Sequence, residues 1–171
     1  MNLAAEIRRV AKLTGSFRLR SGATSDTYFD KYQFEAHPKL LRAIAEQMVP
    51  LVPSGTRVLA GLEMGGIPIA TMLGQVTGLP TAFIRKEAKT YGTCRYAEGI
   101  SLPPDDVVLV EDVVSTGGAI SDALSKLRSD DVAVKVALCV IDREMGGQEL
   151  LSQQGVELRG LFKMREIESA A

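Results

Sequence analysis

Glu111 and Asp112 are adjacent carboxylates, and after two valines they are followed by Ser115-Thr116-Gly117-Gly118. A glycine turn that opens a helix leaves backbone N–H groups free and lets a ligand approach closely, so it makes a cradle for a phosphate. The hydroxyls of Ser115 and Thr116 add donors to it. Two carboxylates beside such a cradle can accept hydrogen bonds from vicinal hydroxyls, and the combination suits a sugar phosphate. A nucleoside-triphosphate loop would need Gly-Lys-Ser/Thr at this point, and none follows. Alone, an acidic pair ahead of a helix also suits plain stabilisation by the helix dipole. The whole run carries more information than the pair.

A second chemical stretch is Arg85 to Gly99, in which Arg85, Lys86, Lys89 and Arg95 stand against Glu87 and Glu98. No helix is evident in it. Long unstructured segments are uncommon in compact domains and often serve as lids or binding loops. This one suits either a solvated loop or a clamp on a polyanion such as a leaving pyrophosphate.

The elements that must hold these residues alternate between strand and helix. Val107 to Val110 is apolar without alternation, the pattern of a strand buried on both faces, and it is expected to stop at the acidic pair. Ile120, Ala123, Leu124 and Leu127 then recur at helical spacing, predicting a helix from about Gly118 to Arg128. Strands are also predicted over Val58–Gly61, Thr81–Ile84 and Val132–Ile141, with a helix over Ile67–Val76. The order implies a parallel sheet with helical crossovers. Gly61-Leu62-Glu63-Met64-Gly65-Gly66 is a second glycine turn at a carboxyl strand end, where open α/β sheets bind ligands. The tail predicts a short helix over Gly146–Gln154 and a strand over Val156–Met164.

Ahead of this core, Leu3 to Leu13 reads as an amphipathic helix ended by Gly15. Ser16 to Gly22 and about Asp26 to Phe34 read as two short strands, with Arg18 and Arg20 on one side, that suit a hairpin-like hood or, better on pattern alone, an ordinary β-edge with solvated arginines. Pro38 opens a helix closed by Pro53-Ser54-Gly55. His37, the sole histidine, has no triad or metal partner near it in sequence and reads as a solvated residue beside that helix.

At 171 residues the chain is expected to form one domain, residues 1–171, with a helix and hood over about 1–36 and an α/β core over about 37–171. The apolar fraction of 46%, charged fraction of 24% and net charge of −1 are ordinary, and give no signal for nucleic acid or an acidic membrane surface. Cys94 and Cys139 stand outside any metal-ligand spacing and fit a reducing compartment. The N-terminus has no uninterrupted apolar signal core, and no apolar run is long enough to span a bilayer. A cytoplasmic location is expected.

The run from Val107 to Ile120 closely resembles the phosphoribosyl pyrophosphate (PRPP) signature of the type I phosphoribosyltransferases. Three further stretches resemble one family of them, the orotate phosphoribosyltransferases. Phe17-Arg18-Leu19-Arg20-Ser21-Gly22 with Ser25-Asp26-Thr27-Tyr28-Phe29-Asp30 is similar to the family's hood. Arg85-Lys86-Glu87-Ala88-Lys89-Thr90-Tyr91-Gly92 is similar to its catalytic loop, and Ile141-Asp142-Arg143 to a further family element.

The resemblance implies a type I phosphoribosyltransferase-like fold: an α/β core of parallel strands flanked by helices, with a small hood and a long flexible loop. It implies that orotate and PRPP give orotidine 5′-monophosphate and pyrophosphate, with Mg²⁺ held mainly by PRPP and water and no direct protein ligand. PRPP would be held by Arg85, Lys86, Lys89 and Tyr91 at the pyrophosphate, by Glu111 and Asp112 at the ribose hydroxyls, and by Ser115, Thr116, Gly117, Gly118 and Ala119 at the 5′-phosphate, with Val113 and Val114 also in the PRPP-binding set. Lys89 and Asp112 would be the catalytic residues. Orotate would meet Ser115, Arg143, Arg20, Tyr28 and Phe29. A homodimer that shares the loop across its interface is implied too, with no nucleic-acid or membrane partner. Arg20, Tyr91, Ser115 and the Met64-Gly65 pair depart from the family's commonest residues. The competing functions are a purine phosphoribosyltransferase of the same fold and a PRPP-sensing regulator without turnover.

Overall fold

The structure is a computed structural model that describes residues 2–19, 22–92 and 94–171. Its first helix, α1 (Leu3–Ala11), buries Leu3, Ala4, Ile7 and Ala11, and Asn2 caps it by accepting from the N–H of Ala5. The helix is shorter than its apolar pattern suggests because the chain turns extended at Lys12. There it enters β1 (Lys12–Arg18), which pairs antiparallel with β2 (Thr24–Phe29), Lys12 facing Phe29 and Leu13 facing Tyr28. Gly15 therefore lies in a strand beside a register shift between Thr14 and Phe17 and does not end the helix.

The second hood strand stops at Phe29, earlier than predicted. The Asp30 carboxylate accepts from the Tyr32 N–H at 3.2 Å and from Gln33 Nε2 at 2.9 Å. That Asx turn leads into a helix, α2 (Tyr32–Ala36), which buries Phe34 and Glu35. The expected strand over residues 30–34 is thus a turn and a helix. Pro38 opens α3 (Pro38–Met48) as its composition predicts, with His37 exposed at the cap position.

The main sheet has six strands in the order β5-β4-β3-β6-β7-β8: β3 (Val58–Leu62), β4 (Thr81–Ile84), β5 (Ala97–Gly99), β6 (Val107–Val114), β7 (Val134–Asp142) and β8 (Glu157–Lys163). All neighbours are parallel except β5, an antiparallel edge strand formed by the end of the long loop. Helices α4 (Gly66–Thr77), α5 (Gly118–Ser129) and α6 (Gly147–Gln153) connect the strands, and α7 (Met164–Ser169), absent from the sequence reading, follows β8. One apolar layer joins α1, Phe34, α3 and α4 to one face of the sheet. The other joins α5 and Leu151 of α6 to the opposite face. Among the described residues no helix is long and apolar enough to cross a membrane.

The largest departure from the sequence reading is β6. It continues through the acidic pair instead of stopping there, with Glu111 opposite Cys139, Val113 opposite Ile141 and Val114 opposite Asp142. Carboxylates rarely lie inside a sheet unless something pairs them. Partners from other parts of the fold do so here.

Candidate active site

Three features meet at the carboxyl edge of the sheet. The first is the turn between β6 and α5. Gly117 adopts φ +80°, and a Cβ there would also crowd the backbone of Gly147 at 3.2 Å, so glycine serves both conformation and packing. Helix α5 has no side-chain cap. Its first N–H groups therefore border a small cavity of about 180 Å³ lined by Glu111 and by residues 113–120. Val113, Val114, Ser115, Thr116, Gly117, Gly118 and Ala119 all lie on that lining.

The acidic pair behind the cradle is buried, Asp112 completely and Glu111 almost so. Lys31 Nζ approaches Asp112 at 3.0 Å from Oδ1 and 2.7 Å from Oδ2, and the N–H of Val113 donates to Oδ1 at 2.6 Å. Glu111 Oε1 accepts from the N–H of Asp112 at 3.0 Å. Burial pushes the Asp112 carboxyl up, but hydrogen bonds with Glu111, Glu35 and Lys31 together with the Lys31 charge outweigh it and hold the group below its ordinary range. Burial likewise lowers Lys31, and its Asp112 contacts reverse this to a net rise. Glu111 is pushed up to about 9, first by burial and then by the neighbouring Asp112.

The second feature is the Glu63–Gly66 turn, whose Glu63–Met64 peptide is cis. It packs against the first: a Cβ on Gly65 would lie 1.7 Å from Asp112 Oδ2. The two glycine turns thus share one carboxylate. Glu63 also accepts from the N–H of Lys86, tying this turn to the base of the long loop.

That loop is the third feature. Glu63 and residues 85–91 line a cavity of about 400 Å³, which gathers Arg85, Lys86, Lys89 and Tyr91. Within the loop Lys89 forms an ion pair with Glu98, and Tyr91 is 73% exposed. No contact places Lys89 on the acidic pair; its described ion-pair partner is Glu98.

The hood encloses a separate cavity of about 460 Å³ where Tyr28 and Phe29 meet Arg143, with Arg8 and Lys12 also on its wall. Phe17 stacks on Tyr28 at 5.6 Å. Arg143 reaches this wall because its N–H donates to the Val114 carbonyl at 2.8 Å, anchoring it beside the end of β6. Ser115 lines the turn cavity, not the hood cavity. Arg20 lies outside the described residues.

Sequence reasoning missed Lys31, Glu35 and the structural use of Glu63 and Gly65. Lys31 and Glu35 are four residues apart, the spacing of one helical face. Nothing local marks the distant aspartate as their partner.

Comparison with known proteins places these features among relatives. The phosphoribosyl transferase domain family matches residues 31–154. The orotate phosphoribosyltransferase of a Nocardioides species is 49% identical over 168 residues, covering 98% of this chain and 94% of that protein. That of Methanocella arvoryzae is 43% identical over 153 residues, covering 90% and 87%. Among solved structures, Mycobacterium tuberculosis orotate phosphoribosyltransferase in complex with inorganic phosphate superposes with a TM-score of 0.85 at 25% identity, covering 97% of this chain and 96% of that one.

Proposed function

Since this chain belongs to the orotate phosphoribosyltransferase family of phosphoribosyl transferase domains, and so joins orotate to the phosphoribosyl group of PRPP in pyrimidine synthesis, we propose how its residues divide that reaction. The observation that carries the division is that an uncapped helix N-terminus, a buried acidic pair and the loop cavity lined by Arg85, Lys86 and Lys89 meet along one sheet edge.

The 5′-phosphate sits in the turn from Ser115 to Ala119, where free N–H groups and hydroxyls face an anion. Glu111 and Asp112 receive the ribose hydroxyls, with Val113 and Val114 supplying backbone at the sugar. Orotate lies in the hood cavity between Tyr28, Phe29 and Arg143, and Ser115, on the turn cavity, and Arg20 belong to the same proposed set. A guanidinium pairs bidentately with a planar carboxylate, which suits Arg143 to the substrate's anion.

Arg85, Lys86, Lys89 and Tyr91 close on the pyrophosphate. Displacement at the anomeric carbon places growing negative charge on that leaving group. A lysine that meets it chiefly in the transition state lowers the barrier more than it tightens substrate binding. Lys89 does this from a closed loop, leaving Glu98; the loop acts across a homodimer interface. Among the described residues no set of His, Cys, Asp and Glu forms a metal cage, and Asp112 is engaged by Lys31. This donor set fits a Mg²⁺ ion that brings its own oxygens, as Mg²⁺ bound to substrate phosphates commonly does. Held by PRPP and water, the ion would neutralise pyrophosphate charge. The hood and core act as a single domain, and the two free cysteines suit work in the cytoplasm.

A coupled assay with PRPP, Mg²⁺ and either orotate or a purine base tests the base assignment. Turnover is expected with orotate and negligible with adenine, hypoxanthine or xanthine. Comparable rates with a purine would overturn it.

A further inference from the structure

Asp112 is sealed from solvent, and the polar groups acting on it come from three parts of the chain. Glu111 and the N–H of Val113 flank it in β6, Lys31 stands just before α2, and Glu35 projects from α2. Tyr32 lies beside Lys31, whose Nζ is 5.3 Å from its ring centroid. Two buried oxygens in this cluster have no hydrogen-bond donor, Asp112 Oδ2 and Glu35 Oε1. Glu35 is only 8% exposed, and its carboxyl is within hydrogen-bonding reach of Asp112. Lys31 contributes charge at Oδ2, yet no hydrogen bond forms there. Buried oxygens seldom go without a donor. One proton shared between the two carboxyl groups satisfies both.

We propose that Glu35 is a positioning residue for PRPP binding: as a neutral carboxylic acid it donates its O–H to Asp112 Oδ2, and with Lys31 it fixes that carboxylate as the anion of the buried cluster. This rests on the reading that Asp112 serves the ribose hydroxyls. The protonation state follows from the setting. Burial first, and then the Asp112 carboxylate, push Glu35 up to about 9. A second ionised carboxylate there would face Asp112 with the single Lys31 ammonium between them. It would also add negative charge where a polyanion must dock. A neutral Glu35 holds Asp112 in place without that repulsion.

The test pairs calorimetric titration of Mg·PRPP into the intact enzyme with infrared spectra of the free enzyme at pH 7. Glu35→Gln keeps an N–H donor where the acid had its O–H and should retain PRPP affinity within about threefold, whereas Glu35→Leu removes the donor and should weaken it about tenfold or more. Lys31→Met should weaken it by at least as much, since it leaves the buried carboxylate without a cation. The wild-type spectrum should contain a protonated-carboxyl band, part of which Glu35→Gln abolishes; Glu111 accounts for the rest. A Glu35→Gln enzyme as weak as Glu35→Leu, a Glu35→Leu enzyme that binds like wild type, or a spectrum unchanged by Glu35→Gln would each overturn the proposal. If Glu35→Leu does not fold, the Glu35→Gln affinity and spectrum decide. Asp112→Asn separates the two readings: wild-type PRPP affinity in that variant would overturn the ribose role of Asp112, while the infrared band still reports on Glu35.

Discussion

The β6–α5 turn and the loop over residues 85–99 are both proposed to handle PRPP, and they are built in opposite ways. At the turn the acidic groups lie inside a central strand with no exposure for Asp112, which is paired to Lys31 just before α2. In the loop Tyr91 is 73% exposed, and Lys89 is bound within its own segment to Glu98. The turn's arrangement is completed by folding itself, because its hydrogen bonds are part of the core. On the proposed reading, the loop's arrangement is completed only when Lys89 leaves Glu98. An enzyme that must admit a polyanion and then exclude water gains from this division, since a fixed site sets orientation and a moving one supplies transition-state contacts.

Four measurements bear on that contrast. The largest effect is expected from Lys89→Ala, which should lower kcat by about 10²–10³ with a modest change in PRPP KM, as for other groups that act on developing charge. Mixing Lys89→Ala chains with Asp112→Asn chains should restore part of the activity if the loop crosses a dimer interface. Rescue that fails in demonstrably exchanged dimers would place the loop over its own subunit's site. Wild-type kcat would end the clamp reading altogether.

Arg143→Ala comes next. Loss of a charge-assisted hydrogen bond costs about 1.5–3 kcal/mol, so orotate KM should rise about tenfold to a hundredfold while PRPP KM stays put. An unchanged orotate KM would move the base away from the hood cavity.

The third concerns pH. Glu35 and Glu111 are each raised from 4.5 to about 9, so between those values the folded protein holds protons that the unfolded chain has released. Their contribution to stability is full below pH 4.5 and is lost as pH rises towards 9, with a slope of up to about 1.4 kcal/mol per pH unit for each group. Asp112 is lowered from 3.8 and Lys31 raised from 10.5, so their own changes fall outside this window. Denaturant unfolding across the window should show wild type losing stability relative to Glu35→Gln. Parallel curves would mean that Glu35 titrates normally.

The smallest effect is expected at Glu98. Its pair with Lys89 is about one-quarter exposed on either side, and such a pair is worth about 0.2–1 kcal/mol. Glu98→Gln should release Lys89 and lower PRPP KM by no more than about fivefold. A fall in kcat would instead give Glu98 a part in the closed state.

Much of the scaffold was legible because its signals are local. Thr81–Ile84 is bounded by Pro80 and Arg85 and is found as read, and Pro38 sets the start of α3. The Gly117-Gly118 step marks the head of α5 for the same reason. What was misread depends on contacts far along the chain. The acidic pair looks like the end of a strand until Lys31, 81 residues earlier, is found against it. Residues 30–34 alternate like a strand, and only the Asp30 side-chain turn and the burial of Phe34 make them turn and helix. For the candidate site, residue types and order were readable from the motifs. The grouping of Tyr28, Phe29 and Arg143 on one wall, and of Ser115 on another, required the fold.

Gly65 carries a consequence for how this protein can vary. Its φ of −68° and ψ of −30° would accept any residue, so backbone geometry does not demand glycine there. The demand comes from the Asp112 carboxylate, whose Oδ2 occupies the space a Cβ would take. Position 65 therefore cannot gain a side chain while the Asp112 carboxylate keeps its present place. A library randomised at 65 should return glycine alone while Asp112 is kept, and should admit larger residues once position 112 is shortened. Descendants of this sequence that gain a side chain at 65 would have to re-aim the acid first, so the order of substitutions is constrained as well as their identity.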